Sequence, residues 1–204
     1  KAELELRITN EKAAELKKVE ENVPENTEAV SEALQNYQEA QTRLKARFQA
    51  LQETSQNPNI DRLLGELADR TVKHEKMLEE LAQKFEGHAD IQSLTKSAKE
   101  KAEETVGEAA KKDDPVKFAA KLERALIESK GSELKHVRSI EIIDRLSQKV
   151  SEDMKQSLER LRSDFSEKLG KDLKEVLEKQ GSQKVEEAIA GLPGDAARRA
   201  VLLD

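Results

Sequence analysis

The chain has 204 residues, of which 38% are charged and 2% aromatic, with no tryptophan and a net charge of −6. Charges of both signs interspersed along a chain so poor in aromatic residues fit long solvated helices, and exclude a sandwich, a barrel or an α/β enzyme. Cysteine is absent, which excludes disulfides, thiolate metal sites and cysteine nucleophiles.

In chain order, a first helical segment ends at Val23-Pro24-Glu25-Asn26, a turn signal. The second carries a helix-spaced apolar stripe of Val30, Leu34, Tyr37, Leu44, Phe48 and Leu51 and stops before Asn57-Pro58-Asn59. The third runs Ile60, Leu63, Leu64, Leu67, Thr71, His74, Leu78, Leu81 and Phe85, again one face of a helix. Gly87 follows and suits a left-handed cap, as do Gly131 and Gly181. Thr95 to Lys112 (TKSAKEKAEETVGEAAKK) has Val106 as its only large apolar residue and reads as a solvated helix with a small-residue face. At Asp113-Asp114-Pro115, Asp114 is placed to cap a helix that has Pro115 at its first position.

Ser132 opens the longest segment, which reads as one helix over about 132–180. Its stripe is Ile143, Leu146, Val150, Met154, Leu158, Leu161, Phe165, Leu169, Leu173 and Val176. The spacing is nearer the ~3.6 of a straight helix than the ~3.5 of a coiled coil, which favours bundle packing over a supercoiled dimer. Beyond Gly181, with Asp195 as an N-cap, the stretch 181–204 reads as a C-terminal helical segment cut from a longer protein. Its run Ala200 to Leu203 is the longest strongly apolar one, far short of a membrane span.

Two stretches resemble each other: KHEKMLEELAQKF (Lys73 to Phe85) and RSIEIIDRLSQKV (Arg138 to Val150). A looser echo follows, from Asp90-Ile91 and from Asp153-Met154, once one residue is inserted. The expectation is therefore an all-α, elongated bundle of antiparallel amphipathic helices built from two tandem three-helix units, 1–86 and 88–180.

Motifs for chemistry are sparse. His74-Glu75 opens like H-E-x-x-H, but Leu78 replaces the second histidine that zinc needs on the same helix face. Glu133-x-x-His136 matches one half of a carboxylate-bridged di-metal motif, and only one copy is present. His88 and Asp90 flank a glycine turn without a third partner. The metal candidates His74, Glu75, Glu133 and His136 thus form no complete ligand set, and the sequence calls for no cofactor. No P-loop, G-x-G-x-x-G or G-x-S-x-G occurs among the scattered glycines, so the expectation is a chain that is not an enzyme and has no evident small-molecule substrate. The acidic run 20–39 could attract cations or a basic partner, although Glu25 and Glu28 also suit a helix N-terminus. Basic clusters (Arg43, Lys45, Arg47; Arg198, Arg199) lack interleaved aromatics, which disfavours nucleic acid. Nor do the faces carry the basic excess of lipid-binding helices.

LELRITNEKAAELKKVEENVPENTEAVSEALQNYQEAQTRL, followed by KHEKMLEEL, is similar to a widespread prokaryotic domain-of-unknown-function family. In that family an acidic helical hairpin precedes a helix with a His-x-x-x-Leu start. The resemblance covers residues 3–86, with a fainter second copy at 132–168. It implies an exported or membrane-anchored, extracytoplasmic segment, and carries over no site residues because the family has no established activity. Separately, Thr95 to Lys112 resembles in composition the repeats of late-embryogenesis-abundant desiccation proteins, which implies a stress-protective helix that orders on drying or binding. The sequence reading is a non-enzymatic spacer or protein-interaction module, open to self-association. Its alternative is a cation-binding module using the run 20–39 and His74.

Overall fold

The computed structural model describes residues 1–23, 25–129, 135–183 and 185–186, and among them contains seven α-helices and no strand. These are α1 (Ala2–Asn22), α2 (Thr27–Gln49), α3 (Pro58–Lys84), α4 (Ala89–Ala110), α5 (Pro115–Glu128), α6 (Lys135–Ser147) and α7 (Glu152–Gln180). Capping chemistry sets several of the boundaries. Asn26 accepts from the Ala29 amide, and Asn57 accepts from Asn59 with Pro58 in the first turn. Asp114 accepts from both Val116 and Lys117 ahead of a helix that starts at Pro115. Gly181, with φ +82°, ends α7, a backbone conformation that glycine adopts at no steric cost. Gly87 does not adopt one: α3 closes on Phe85 at φ −109°. Gly131, Ser132 and Asp195 lie outside the described residues.

The helices stack in two layers. The odd-numbered ones run parallel to one another: Glu3 meets Arg62 near the starts of α1 and α3, and Glu20 meets Lys84 near their ends. Asp61 meets Lys121 between α3 and α5. The even-numbered ones are parallel likewise, with Gln38 on Leu94 and Lys45 on Glu104 between α2 and α4, and Arg145 of α6 on Glu103. Helical hairpins join the layers. Arg43 and Arg47 return to Glu5 across α1–α2, and Arg162 returns to Asp144 across α6–α7. Each substantial interface joins either a hairpin pair or helices two apart in the chain, the nearest-neighbour packing of stacked helical repeats.

This stacking revises two expectations. Residues 1–86 and 88–180 are not separately packed units, since α4 lies along α2 and α5 along α3. Both apolar clusters cross residue 87: one joins Leu6, Phe48 and Leu64 to Phe118, Ile143 and Leu158, and the other joins Leu16, Tyr37 and Leu81 to Ile91 and Ala98. The helix expected over 132–180 is two helices. Its first part tightens at the end, with Gln148 N bonded to Arg145 O at 3.2 Å and Lys149 N to Leu146 O at 2.9 Å, before Ser151 turns extended (φ −68°, ψ 163°). One apolar stripe serves both halves because α6 folds back on α7 and the two bury it against each other. A helix-like period across the junction fits a hairpin as well as a rod. Most of 181–204 lies outside the described residues.

The two similar stretches mark equivalent corners. The first ends α3 before the turn into α4, and the second ends α6 before the turn into α7.

The small-residue helix α4 is not a solvated strut. Thr95, Ala98, Ala102, Thr105, Ala109 and Ala110 are buried, which lets α2 and α4 approach closely. At Gly107 a Cβ would lie 2.5 Å from the Lys149 carbonyl oxygen, so glycine is what allows the α6–α7 turn to seat on α4.

Candidate functional site

His74 and Glu75 occupy consecutive positions on α3, about 100° apart around the helix, and therefore face different neighbours. His74 faces α2. Its Nδ1 lies 3.1 Å from the Tyr37 hydroxyl, and the two rings meet edge to face at 5.5 Å. Gln41 Nε2 donates to that hydroxyl at 2.6 Å. With Gln41 donating to it, the Tyr37 hydroxyl has its proton available for Nδ1, which fits a neutral imidazole with its own proton on Nε2. Burial pushes the His74 pKa down to about 4, with Arg70 and Lys73 acting in the same direction. Burial also pushes the Tyr37 phenol well above its ordinary value.

Glu75 faces α4 and α6. Its Oε2 accepts from Arg145 Nη2 at 2.6 Å, while Arg145 Nε donates to Glu103 and Arg138 Nε to Glu79. Burial raises the Glu75 pKa, opposed by Arg145 and Lys99 and reinforced by Glu103 and Glu79. Gln41 Oε1 and Glu75 Oε1 are buried without a hydrogen-bond partner. Two arginines of α6 therefore clasp three buried carboxylates of α3 and α4. This joins the two similar stretches directly, since Arg138 opens the second and Glu75 and Glu79 lie in the first.

The other candidates do not converge. His136 on α6 pairs with Asp172 of α7 and leans on the Phe165 ring at 5.6 Å; Glu133 lies outside the described residues. His88 precedes α4 and meets the Phe85 ring, and Asp90 sits in the first turn of that helix. The acidic run is dispersed over the α1–α2 corner, with Glu20 held by Lys84 and Glu39 beside Arg43. Among the described residues no three His, Asp or Glu side chains are grouped to hold a metal ion, and no helix is long and apolar enough to cross a membrane.

Two grooves flank the outer ridge of α3. One, of about 350 Å³ between α1 and α3, is lined by Asn10, Lys17, Arg70, Lys73 and His74 among others. The other, of about 620 Å³ between α3 and α5, is lined by Asp61, Arg62, Glu66, Lys117, Ala120 and Arg124 among others. Lys121 at its floor donates to Asp61 at 2.7 Å and to Asp113 at 2.8 Å, and that bond holds the Asp61 carboxyl below its ordinary range. Val116 and Ile127, on one face of α5 about three turns apart, remain 64% and 49% exposed.

The sequence reading missed both the arginine clasp and these grooves. Arg138 and Arg145, seven residues apart, share one face of α6, a signal that was available. The grooves depend on which helices become neighbours, and no local pattern carries that. No family model, curated protein or solved structure matches the chain.

Proposed function

We propose that the chain is a non-enzymatic helical scaffold that presents a protein-interaction surface along α3 and α5. The carrying observation is the pair Val116 and Ile127, large apolar side chains left in solvent beside a charged groove. Most residues of the other stripes are buried within the chain's own layers, and the other exposed large apolar residues among those described, Leu4, Val23 and Leu177, stand singly. An apolar ridge bordered by charges of both signs suits an amphipathic helical segment of a partner. The buried titratable groups support the scaffold reading, because their hydrogen bonds join helices to one another and set the register. Placement outside the cytoplasm belongs to this proposal and rests on the family resemblance alone. Fractionation of native cells tests that part.

Lysine-directed cross-linking of the native protein tests the surface. A partner captured through Lys117 and lost from the Val116→Asp/Ile127→Asp variant supports the reading. Cross-links of equal yield from that variant, with an unchanged melt, would overturn it.

A further inference from the structure

The acids and bases that line the α3–α5 groove are equal in number but not equally engaged. Most of its carboxylates are held: Asp61 by Lys121, Glu66 by Arg62 and Asp69 by Lys73. Lys117 and Arg124, by contrast, are exposed and make no ion pair among the described residues. Lys117 acts on Asp61 from a distance, yet Lys121 already takes that carboxylate at 2.7 Å. Arg124 Nη2 lies 3.3 Å from the point that a Cβ on Gly65 would occupy, so its guanidinium crosses the groove and rests against α3 at a glycine. The one lining acid without an ion pair is Glu128, one turn beyond Arg124.

Lys117 and Arg124 are seven residues apart, about 10 Å along one face of α5, and they run beside the exposed Val116 and Ile127. Two free cations flanking an apolar line call for carboxylates flanking an apolar face. We infer that the occupant of this surface is an acidic amphipathic helix of another protein. Its apolar residues cover Val116 and Ile127, and two carboxylates about two turns apart meet Lys117 and Arg124. Glu128 disfavours a third carboxylate one turn further on. The inference rests on the α3–α5 surface proposed above and supplies the charge of its partner.

Synthetic helical peptides of about five turns, titrated into the intact protein while its backbone amide resonances are followed, test this. The acidic probe has leucines on one face flanked by glutamates. The basic probe has lysine for every glutamate, and the polar probe is the acidic one with serine for every leucine. The expected result is a saturable shift centred on α5 with the acidic probe, about tenfold tighter than with the basic one, and none with the polar one. The chain's net charge of −6 favours the basic probe non-specifically, so a preference for the acidic one reports the local cations. That preference shrinks in about 1 M salt. Lys117→Glu/Arg124→Glu, a surface change that leaves the melt unaltered, reverses it. Equal binding of the acidic and basic probes, or a preference unchanged in the doubly reversed variant, would overturn the acidic partner and leave the interaction surface standing. No saturable shift at α5 with either leucine-bearing probe would remove the surface itself. Saturation by the polar probe would reduce the site to bare charge and overturn the amphipathic helix.

Discussion

Arg145 of α6 places Nη2 2.6 Å from Oε2 of Glu75 on α3, a carboxylate whose side chain is 4% exposed. Its Nε meets Glu103 of α4, so one guanidinium joins three helices. Arg145→Leu would leave two buried carboxylates without their cation. Removing one partner from a buried pair is far more destabilising than never having built it. Because Arg145 is itself partly solvated, a loss of about 3 kcal/mol is expected, read from urea denaturation. Adding Glu75→Leu and Glu103→Leu to that variant recovers most of the loss, since uncharged side chains then fill the seam. An unchanged midpoint for Arg145→Leu alone would mean that apolar contacts suffice to dock α6.

Gly107 and Gly170 both lie within helices, yet alanine has opposite consequences at the two. At Gly107 the new methyl would sit 2.5 Å from the Lys149 carbonyl oxygen, which is backbone and cannot swing aside. Gly107→Ala therefore lowers stability by about 1–3 kcal/mol and speeds amide exchange around residues 148–151. At Gly170 nothing lies within 4 Å, and Gly170→Ala adds up to about 1 kcal/mol through helix propensity. Parallel melts of the two variants check the pair, and a stabilised Gly107→Ala would contradict the close seating of the α6–α7 turn.

Leu158 on α7 is fully buried in the larger apolar cluster, with Leu146 of α6 in the same cluster. Leu158→Ala removes that packing and leaves a cavity, for an expected loss of about 2–5 kcal/mol. A melt like that of the unaltered chain would show that the α7 stripe is not core but a free face.

Helical periodicity made the stripes legible. Every stripe position from Ile60 to Phe85 is buried, including the polar Thr71 and His74. What periodicity does not encode is where a helix folds back when the stripe continues through the turn, as it does from Leu146 through Val150 to Met154. The similar stretches held that information, because the Phe85–His88 turn in the first aligns with Val150–Ser151 in the second. The second corner has no glycine and therefore reads as continuous helix. The α2–α4 interface was illegible for another reason. Its close approach rests on Ala98, Ala102 and Ala109, whose small side chains weigh little in an apolar pattern while allowing backbones to come together. The functional candidates were read as local motifs, and the structure instead divides adjacent residues, sending His74 to Tyr37 and Glu75 to Arg145.

His74 makes stability depend on pH with a definite sign. Its pKa is about 4 in the folded chain against an ordinary 6.5, so between these values the unfolded state binds more protons. Stability contributed by the neutral imidazole is complete above about pH 6.5 and is lost as pH falls toward 4, by about 3 kcal/mol in all. Glu75 acts in the opposite sense. Its raised pKa gives a contribution that is largest below the unfolded carboxyl value and declines as pH rises through the folded one. Comparing the unaltered chain with His74→Leu isolates the imidazole, because Glu75 is common to both. The difference in unfolding free energy between the two proteins should rise with pH from 4 to 6.5 and then stay level. The missing Tyr37 hydrogen bond in the variant adds only a constant offset. A difference that is flat across this window would mean that His74 stays protonated in the fold wherever it is protonated in the unfolded chain, with Nδ1–H donating to the Tyr37 hydroxyl instead of accepting from it.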